Sequence, residues 1–297
     1  MLPWRLFLGT LFIAALVGLC WLDGNQVLGA PPGGWLLPLA LVLSVVASDE
    51  MLRLVGHADE KPIAWIVWLG NLAIVASSGV VVFWPSALKS ASPWERLGWP
   101  AIALTFALLL AFIGEMARYE RSGRVMVRIG LAGLSFVYVG LLLSFVVQLR
   151  LFGSNLTGLT ALASLIAVVK MGDSGAYTVG RLFGRHKMAP LLSPGKTWEG
   201  AVGAVLGAVL GAWLVFRLMP SGTAAAVPDF RWGWVVYGVI VGITGMIGDL
   251  AESLIKRDAG RKDSSPWMPG FGGVLDVLDS ILFAAPVAWL LWVSGVV

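Results

Sequence analysis

Charge is what this chain has least of. Asp, Glu, Lys and Arg make up 13% of its 297 residues, against about 25% in an ordinary soluble domain, which excludes a molecule wetted on most sides. One cysteine, Cys20, lies inside an apolar run, so there is no disulfide framework and no thiol chemistry to consider. Two histidines, His57 and His186, argue against a zinc centre. The apolar stretches do not alternate with polar residues, as the strands of a membrane barrel must. No internal repeat or low-complexity linker interrupts the chain. A single membrane domain is therefore expected over residues 1–297, with N-terminal spans in 1–150 and motif-bearing spans in 151–297.

What is abundant is apolar surface: 58% of the residues are hydrophobic and the mean hydropathy is +0.85. The long runs cover residues 5–22, 34–54, 62–84, 97–115, 127–148, 156–178, 198–218, 232–255 and 274–296. A helix of about 20 apolar residues crosses the hydrocarbon core, and only a helix satisfies its own backbone there. The expectation is an all-α, polytopic integral membrane protein of about nine transmembrane helices. The first run follows Arg5 and reads as a retained span, since no small-x-small cleavage pattern closes it.

If nine spans alternate, Lys89, Arg96, Arg150, Arg217 and Arg231 fall on one side and the rest of the 21 basic residues on the other. The positive-inside rule assigns the richer side to the cytoplasm, and a multi-pass protein of the inner cell membrane is expected, with its polar motifs cytoplasmic. Basic charge distributed this way calls for a lipid bilayer and not for nucleic acid. Trp4, Trp21, Trp84, Trp99 and Trp198, near run ends, read as interfacial anchors. Gly203, Gly207 and Gly211 recur every four residues, the signature of a helix-packing face. Glu115, Arg118, Glu120, Arg121 and Arg124 mix signs as a solvated linker would.

Two segments differ, because their charges run into the apolar spans, where ionisable residues are costly and functional by default. The first extends from Lys170 through Asp173, Tyr177, Arg181, Arg185, His186 and Lys187 to Ser193-Pro-Gly-Lys196-Thr197-Trp-Glu199-Gly200. Gly195-Lys196-Thr197 invites a phosphate-loop reading, but that pattern needs glycine where Pro190 stands. What remains is a basic, glycine-containing loop entering a helix at Thr197, whose backbone N–H groups suit an anion such as phosphate.

The second segment carries Asp249, Glu252, Ser253, Lys256, Arg257, Lys262 and Asp263, then Gly272, Gly273, Asp276 and Asp279. Asp249, Glu252, Ser253 and Lys256 share a helical face by their spacing. Asp276 and Asp279 stand one turn apart in an apolar span and repel unless a cation or basic partner lies between them. A hard divalent ion, above all magnesium, is the natural occupant, and Gly272-Gly273 permits close approach of a ligand. Carboxylates, cations and glycines at the ends of adjacent spans are the parts that phosphoryl or nucleotidyl transfer requires. A salt-bridge cluster without chemistry is the plainer alternative. A transporter is another, disfavoured because the charges cluster at span ends and no repeat is visible.

Ser253-x-x-Lys256-Arg257, Lys262-Asp263, Pro269, Gly272-Gly273, Asp276 and Asp279, with the upstream Asp173, Ala176-Tyr177, Gly180-Arg181, Gly184 and Ser193-Pro194-x-Lys196-Thr197-Trp198-Glu199-Gly200, resemble the motifs of the phosphatidate cytidylyltransferase (CDP-diglyceride synthase) family. The resemblance covers roughly residues 170–280. It implies condensation of CTP with phosphatidate, with Mg²⁺ as cofactor and a second cation and a homodimer left open. It implies catalytic roles for Asp249, Lys256, Arg257, Lys262, Asp263, Asp276 and Asp279, with metal on Asp249, Asp276 and Asp279. Substrate-binding roles fall to Asp173, Tyr177, Arg181, Lys187, Ser193, Lys196, Thr197, Glu199, Ser253, Gly272 and Gly273. Two positions depart from the family's pattern: Phe271 replaces a histidine and Val277 an arginine. Phe271 cannot accept a proton and Val277 removes a charge beside Asp276, so rate or choice of lipid phosphate is where the departures would be felt.

Overall fold

The structure, a computed structural model, describes residues 2–54, 60–84, 92–120, 123–219, 232–265 and 272–297, without the side chains of residues 2–8. His57, Lys89, Arg121, Arg231, Pro269 and Phe271 lie outside the described residues, as does the side chain of Trp4.

Each apolar run is helical: α1 (Leu2–Gly24), α2 (Leu36–Leu54), α3 (Ala64–Ser78), α4 (Gly98–Ala117), α5 (Val125–Arg150), α6 (Asn155–Phe183), α7 (Trp198–Leu218), α8 (Gly233–Asp258) and α9 (Val274–Val293). Among the described residues, six stretches are long and apolar enough to cross a membrane, namely Pro93–Ala117, which includes α4, and α5 to α9. Gly9–Gly24 and Ala64–Ser78 are shorter apolar helices, and α2 carries Asp49, Glu50 and Arg53 near its end. The chain is a multi-pass, helical membrane protein. Six helices meet the criterion of length and composition, against the nine spans expected from the sequence.

The chain divides into two compact units, Met1–Leu151 with Asp263–Val277 and Phe152–Lys262 with Leu278–Val297. The sequence predicts one domain whose halves meet near residue 150. Asp263–Val277 groups with the first unit, where Glu50 of α2 binds the backbone of Val274 and Leu275, as described below.

In the first unit, Ile66, Val67 and Ile74 of α3 pack with Ala107 and Ala111 of α4 and with Ala132 and Phe136 of α5. A Cβ on Gly70 would stand 2.4 Å from the Phe136 ring, so the small residue sets how closely α3 and α5 approach. At one end of this unit, fully buried Asp23 accepts from Gly33 N–H (3.0 Å), Trp35 N–H (2.9 Å) and Arg150 Nε (2.6 Å). At another, Glu115 pairs with Arg118 and accepts from Arg128 Nε at 2.7 Å, while Arg118 also donates to the Lys61 carbonyl. Glu115 is only 4% exposed. It is therefore an internal ion-pair hub and not part of a solvated linker, since a buried charge persists only with its partners.

In the second unit, the glycine face of α7 meets α6, as the spacing predicts. A Cβ at Gly207 would lie 2.3 Å from the Met171 carbonyl oxygen, and one at Gly175 would lie 2.2 Å from the Gly203 oxygen. Small residues let the backbones touch where any side chain would hold them apart. Gly248 of α8 does the same for α9: its Cβ would lie 2.5 Å from Phe283 Cβ and 2.9 Å from the Asp279 oxygen. Deeper in the unit, the Tyr237 hydroxyl and Ser164 Oγ lie 2.8 Å apart, and Trp292 Nε1 donates to the same oxygen at 3.3 Å. Exposed Trp21, Trp84, Trp99 and Trp198 fit anchoring roles at an interface.

Where the sequence predicts only a glycine-containing loop, the structure has an antiparallel hairpin, β1 (Lys187–Ala189) and β2 (Ser193–Thr197), with Lys187 opposite Thr197. Thr197 ends the strand and caps α7, its hydroxyl accepting from Gly200 N–H at 3.1 Å.

Candidate functional site

A cavity of about 440 Å³ opens in the second unit between α6, the hairpin, α7 and α8. Its polar wall is made by Asp173, Tyr177 and Arg181 of α6, Ser193, Lys196 and Thr197 of the hairpin, and Asp249 of α8. These are seven of the residues the motifs single out. Its floor is apolar and small, including Gly172, Ala176, Ala204, Gly242 and Gly245. The close helix packing described above creates this floor, because helices separated only by glycine and alanine leave no side chains to fill the space over them.

The order of charges along the wall follows from helical spacing. Lys170 and Asp173 are three residues apart on α6 and pair at 3.4 Å. One turn further on, Arg181 Nη1 donates to the Tyr177 hydroxyl at 2.6 Å and its guanidinium lies 5.8 Å from the ring centroid. Lys196 reaches across from the hairpin, with Nζ 2.8 Å from Asp249 Oδ2 and 3.4 Å from the Met246 carbonyl. It is the link between the cavity and the acidic group beyond.

That group comprises Asp249 and Glu252 of α8 and Asp279 of α9, each offering one carboxylate oxygen, the three within 4.8 Å of one another. Glu252 is 1% exposed and Asp279 6%. Lys256 Nζ sits 2.5 Å from Glu252 Oε2, one turn along α8. Three carboxylates held this closely repel one another unless cations lie among them, and an all-oxygen donor set of this kind fits a hard divalent ion. Glu252 is the residue that motif reading left out of the metal set. Its signal was present, since the i, i+3 spacing from Asp249 puts both on one face.

Other motif residues serve the frame of the site. Glu199 accepts from Arg185 N–H (3.1 Å) and His186 N–H (3.2 Å), with His186 Nδ1 at 2.6 Å, so it ties the base of the hairpin to the first turn of α7. Arg257 donates from Nε to the Leu192 carbonyl at 3.2 Å, pinning the hairpin's loop to the end of α8. Ser253 is buried beside Glu252 on the same helix. Lys187 is exposed on β1, and Lys262 is exposed beyond the end of α8; neither lines the cavity.

In the first unit, Asp263 is exposed, whereas Asp276 folds back on its own segment. Asp276 Oδ2 accepts from Ser264 N–H (2.9 Å), Ser264 Oγ (2.6 Å) and Gly273 N–H (2.7 Å). Gly272 has φ +81°, a left-handed conformation that favours glycine, and a Cβ there would strike the Asp276 carboxylate at 2.3 Å. The paired glycines, expected to admit a ligand, here admit protein carboxylates.

The sequence of the chain matches the family described as the cytidylyltransferase family over residues 5–294. It is 34% identical over 251 residues to a phosphatidate cytidylyltransferase of Brucella suis, an alignment covering 76% of this chain and 86% of that protein. A phosphatidate cytidylyltransferase of Chlamydia pneumoniae is 31% identical over 233 residues, 77% of this chain and 73% of that one. One from Haemophilus influenzae is 41% identical over 129 residues, 43% and 44% of the respective chains.

Proposed function

Because the chain belongs to the cytidylyltransferase family, we propose that it condenses CTP with phosphatidate to give CDP-diacylglycerol and pyrophosphate. A phosphate oxygen of phosphatidate attacks the α-phosphorus of CTP, a new P–O bond forms, and the bond to the pyrophosphate leaving group breaks. The observation that carries this reading is the position of Lys196, on the cavity wall and 2.8 Å from a member of the acidic group. A cation there can hold triphosphate oxygens beside carboxylates suited to a metal.

The residues divide the work. Lys196 and Arg181 supply positive charge to the triphosphate and the lipid phosphate, replacing counter-ions that the cavity excludes. Lys256 sets a positive charge beside the buried Glu252. The small apolar floor accepts the glycerol and first acyl carbons of a lipid reaching in from the bilayer. Asp249, Glu252 and Asp279 would hold magnesium, which when bound offsets charge on the phosphate oxygens. CTP is a cytoplasmic nucleotide, so the motif loops belong on the cytoplasmic face of the inner membrane, and alternation of all nine helices across it accounts for the basic asymmetry.

The test is the full chain purified into lipid nanodiscs containing phosphatidate, given CTP and magnesium, with pyrophosphate release measured. Activity abolished in Asp249→Asn is the expected result; a folded wild-type protein that releases none rejects the reading. Val277 and Phe271 favour a second arm with other lipid phosphates, in which faster turnover would move the assignment to that lipid.

A further inference from the structure

An acidic residue far in sequence from both motifs binds the start of α9, the helix that carries Asp276 and Asp279. Glu50 of α2 is 2% exposed, and its carboxylate accepts from Val274 N–H (Oε1, 2.9 Å) and Leu275 N–H (Oε2, 2.8 Å). These are first-turn amides of α9, which have no partner within their own helix. Ser264 Oγ, the same hydroxyl that binds Asp276, also lies 3.3 Å from Glu50 Oε2. The space is made for this carboxylate: a Cβ on Gly273 would stand 2.4 Å from Glu50 Oε2 and 2.2 Å from Ser264 Oγ.

We propose that Glu50 is a positioning residue for the transferase, clamping the first turn of α9 so that the helix bearing Asp276 and Asp279 is held in one rotation and register. This rests on the reading of the site given above. The physical case is that of a helix cap supplied by another helix. An anionic acceptor at a helix N-terminus satisfies orphan amides and complements the helix dipole. A two-pronged carboxylate on adjacent amides also fixes the helix about its axis. Asp279 lies one turn past Asp276 on the same helix, so slack in this first turn passes directly to its carboxylate. The proposed effect of Glu50 is through α9, whose first-turn amides it binds. It also explains why the N-terminal unit retains residues 263–277.

The experiment uses the full chain in phosphatidate nanodiscs and reads both backbone hydrogen exchange over residues 272–280 and steady-state kinetics. In Glu50→Gln, exchange at Val274 and Leu275 should accelerate about tenfold. The kcat should fall about tenfold while the KM for CTP stays within about threefold. Glu120→Gln, an exposed acid outside the site, should change neither. Gly273→Ala should reproduce the loss by steric displacement of the carboxylate. In a background carrying both Glu50→Ala and Ser264→Ala it should cost less than about twofold more, because the Glu50 carboxyl and the Ser264 hydroxyl that the methyl would meet are then gone.

Unchanged exchange at Val274 and Leu275 overturns the clamp. Faster exchange with unchanged kcat overturns the positioning role. A raised KM for CTP with kcat intact would also overturn it, by making Glu50 a substrate contact. Should the wild type transfer no cytidylyl group, the function fails while the exchange measurement still decides the clamp.

Discussion

Neutralising Glu252 separates a metal site from a mere cluster of ion pairs. Glu252 and Asp279 are both buried, with one carboxylate oxygen of each no more than 4.8 Å from the other. At that distance two like charges repel by about 3.5 kcal/mol at an effective dielectric constant near 20. Glu252→Gln keeps the shape and removes the charge. Without a divalent ion two effects oppose: repulsion with Asp279 is relieved, and Lys256 loses the carboxylate 2.5 Å away. Metal-free stability is therefore a poor discriminator, and the gain on adding magnesium is the useful quantity.

Loss of one of three charged ligands should weaken magnesium about tenfold, or ~1.4 kcal/mol. At a concentration 100 times the wild-type Kd, magnesium stabilises the folded protein by about 2.7 kcal/mol, and a tenfold weaker site by about 1.4. The assay is thermal unfolding in detergent across a magnesium titration, paired with the magnesium dependence of pyrophosphate release. If Glu252→Gln leaves both titrations superimposable on wild type, the three carboxylates do not form one metal site despite their spacing.

Other substitutions test the remaining parts of the site. Lys196→Met should raise the KM for CTP at least about tenfold, the loss of one charge-assisted contact; an unchanged KM would confine Lys196 to neutralising Asp249. Gly207→Ala forces α6 and α7 apart, since its Cβ would meet the Met171 oxygen at 2.3 Å. It should destabilise by about 1–3 kcal/mol in thermal melts, whereas Gly195→Ala, with nothing within 4 Å, should be neutral. Glu199→Gln weakens the anchor of the hairpin, and hydrogen exchange at Arg185 and His186 should quicken while the exchange of α8 stays as it was.

Much of this molecule is legible from composition alone. In lipid a backbone segment must satisfy its own hydrogen bonds, so a run of Leu, Val, Ala and Ile has one outcome, and each run is a helix. The glycines of α7 announced helix contact for the same reason: nothing but close backbone approach uses small residues every four positions. Asp249 and Asp279 were legible as candidate site residues because a charge inside an apolar span needs a partner or a purpose. The hairpin was not legible. Its strands are three and five residues long, too short to show a period, and Glu199 holds their base through backbone amides that carry no sequence signal.

What the sequence by itself determined is the solvent, the helices and the chemical vocabulary of the two motifs, all of which depend on residue type and local spacing. Tertiary structure alone decided how those carboxylates are used. It gathers Glu252 with Asp249 and Asp279, and it turns Asp276 toward Ser264 and Gly273. It also brings Glu50, more than 200 residues away in the chain, onto the amides of Val274 and Leu275. The physical reason is that a carboxylate's role is set by which donors and charges lie within a few ångströms. For Glu50 and Asp279 those neighbours come from other helices, in an arrangement that no local pattern encodes.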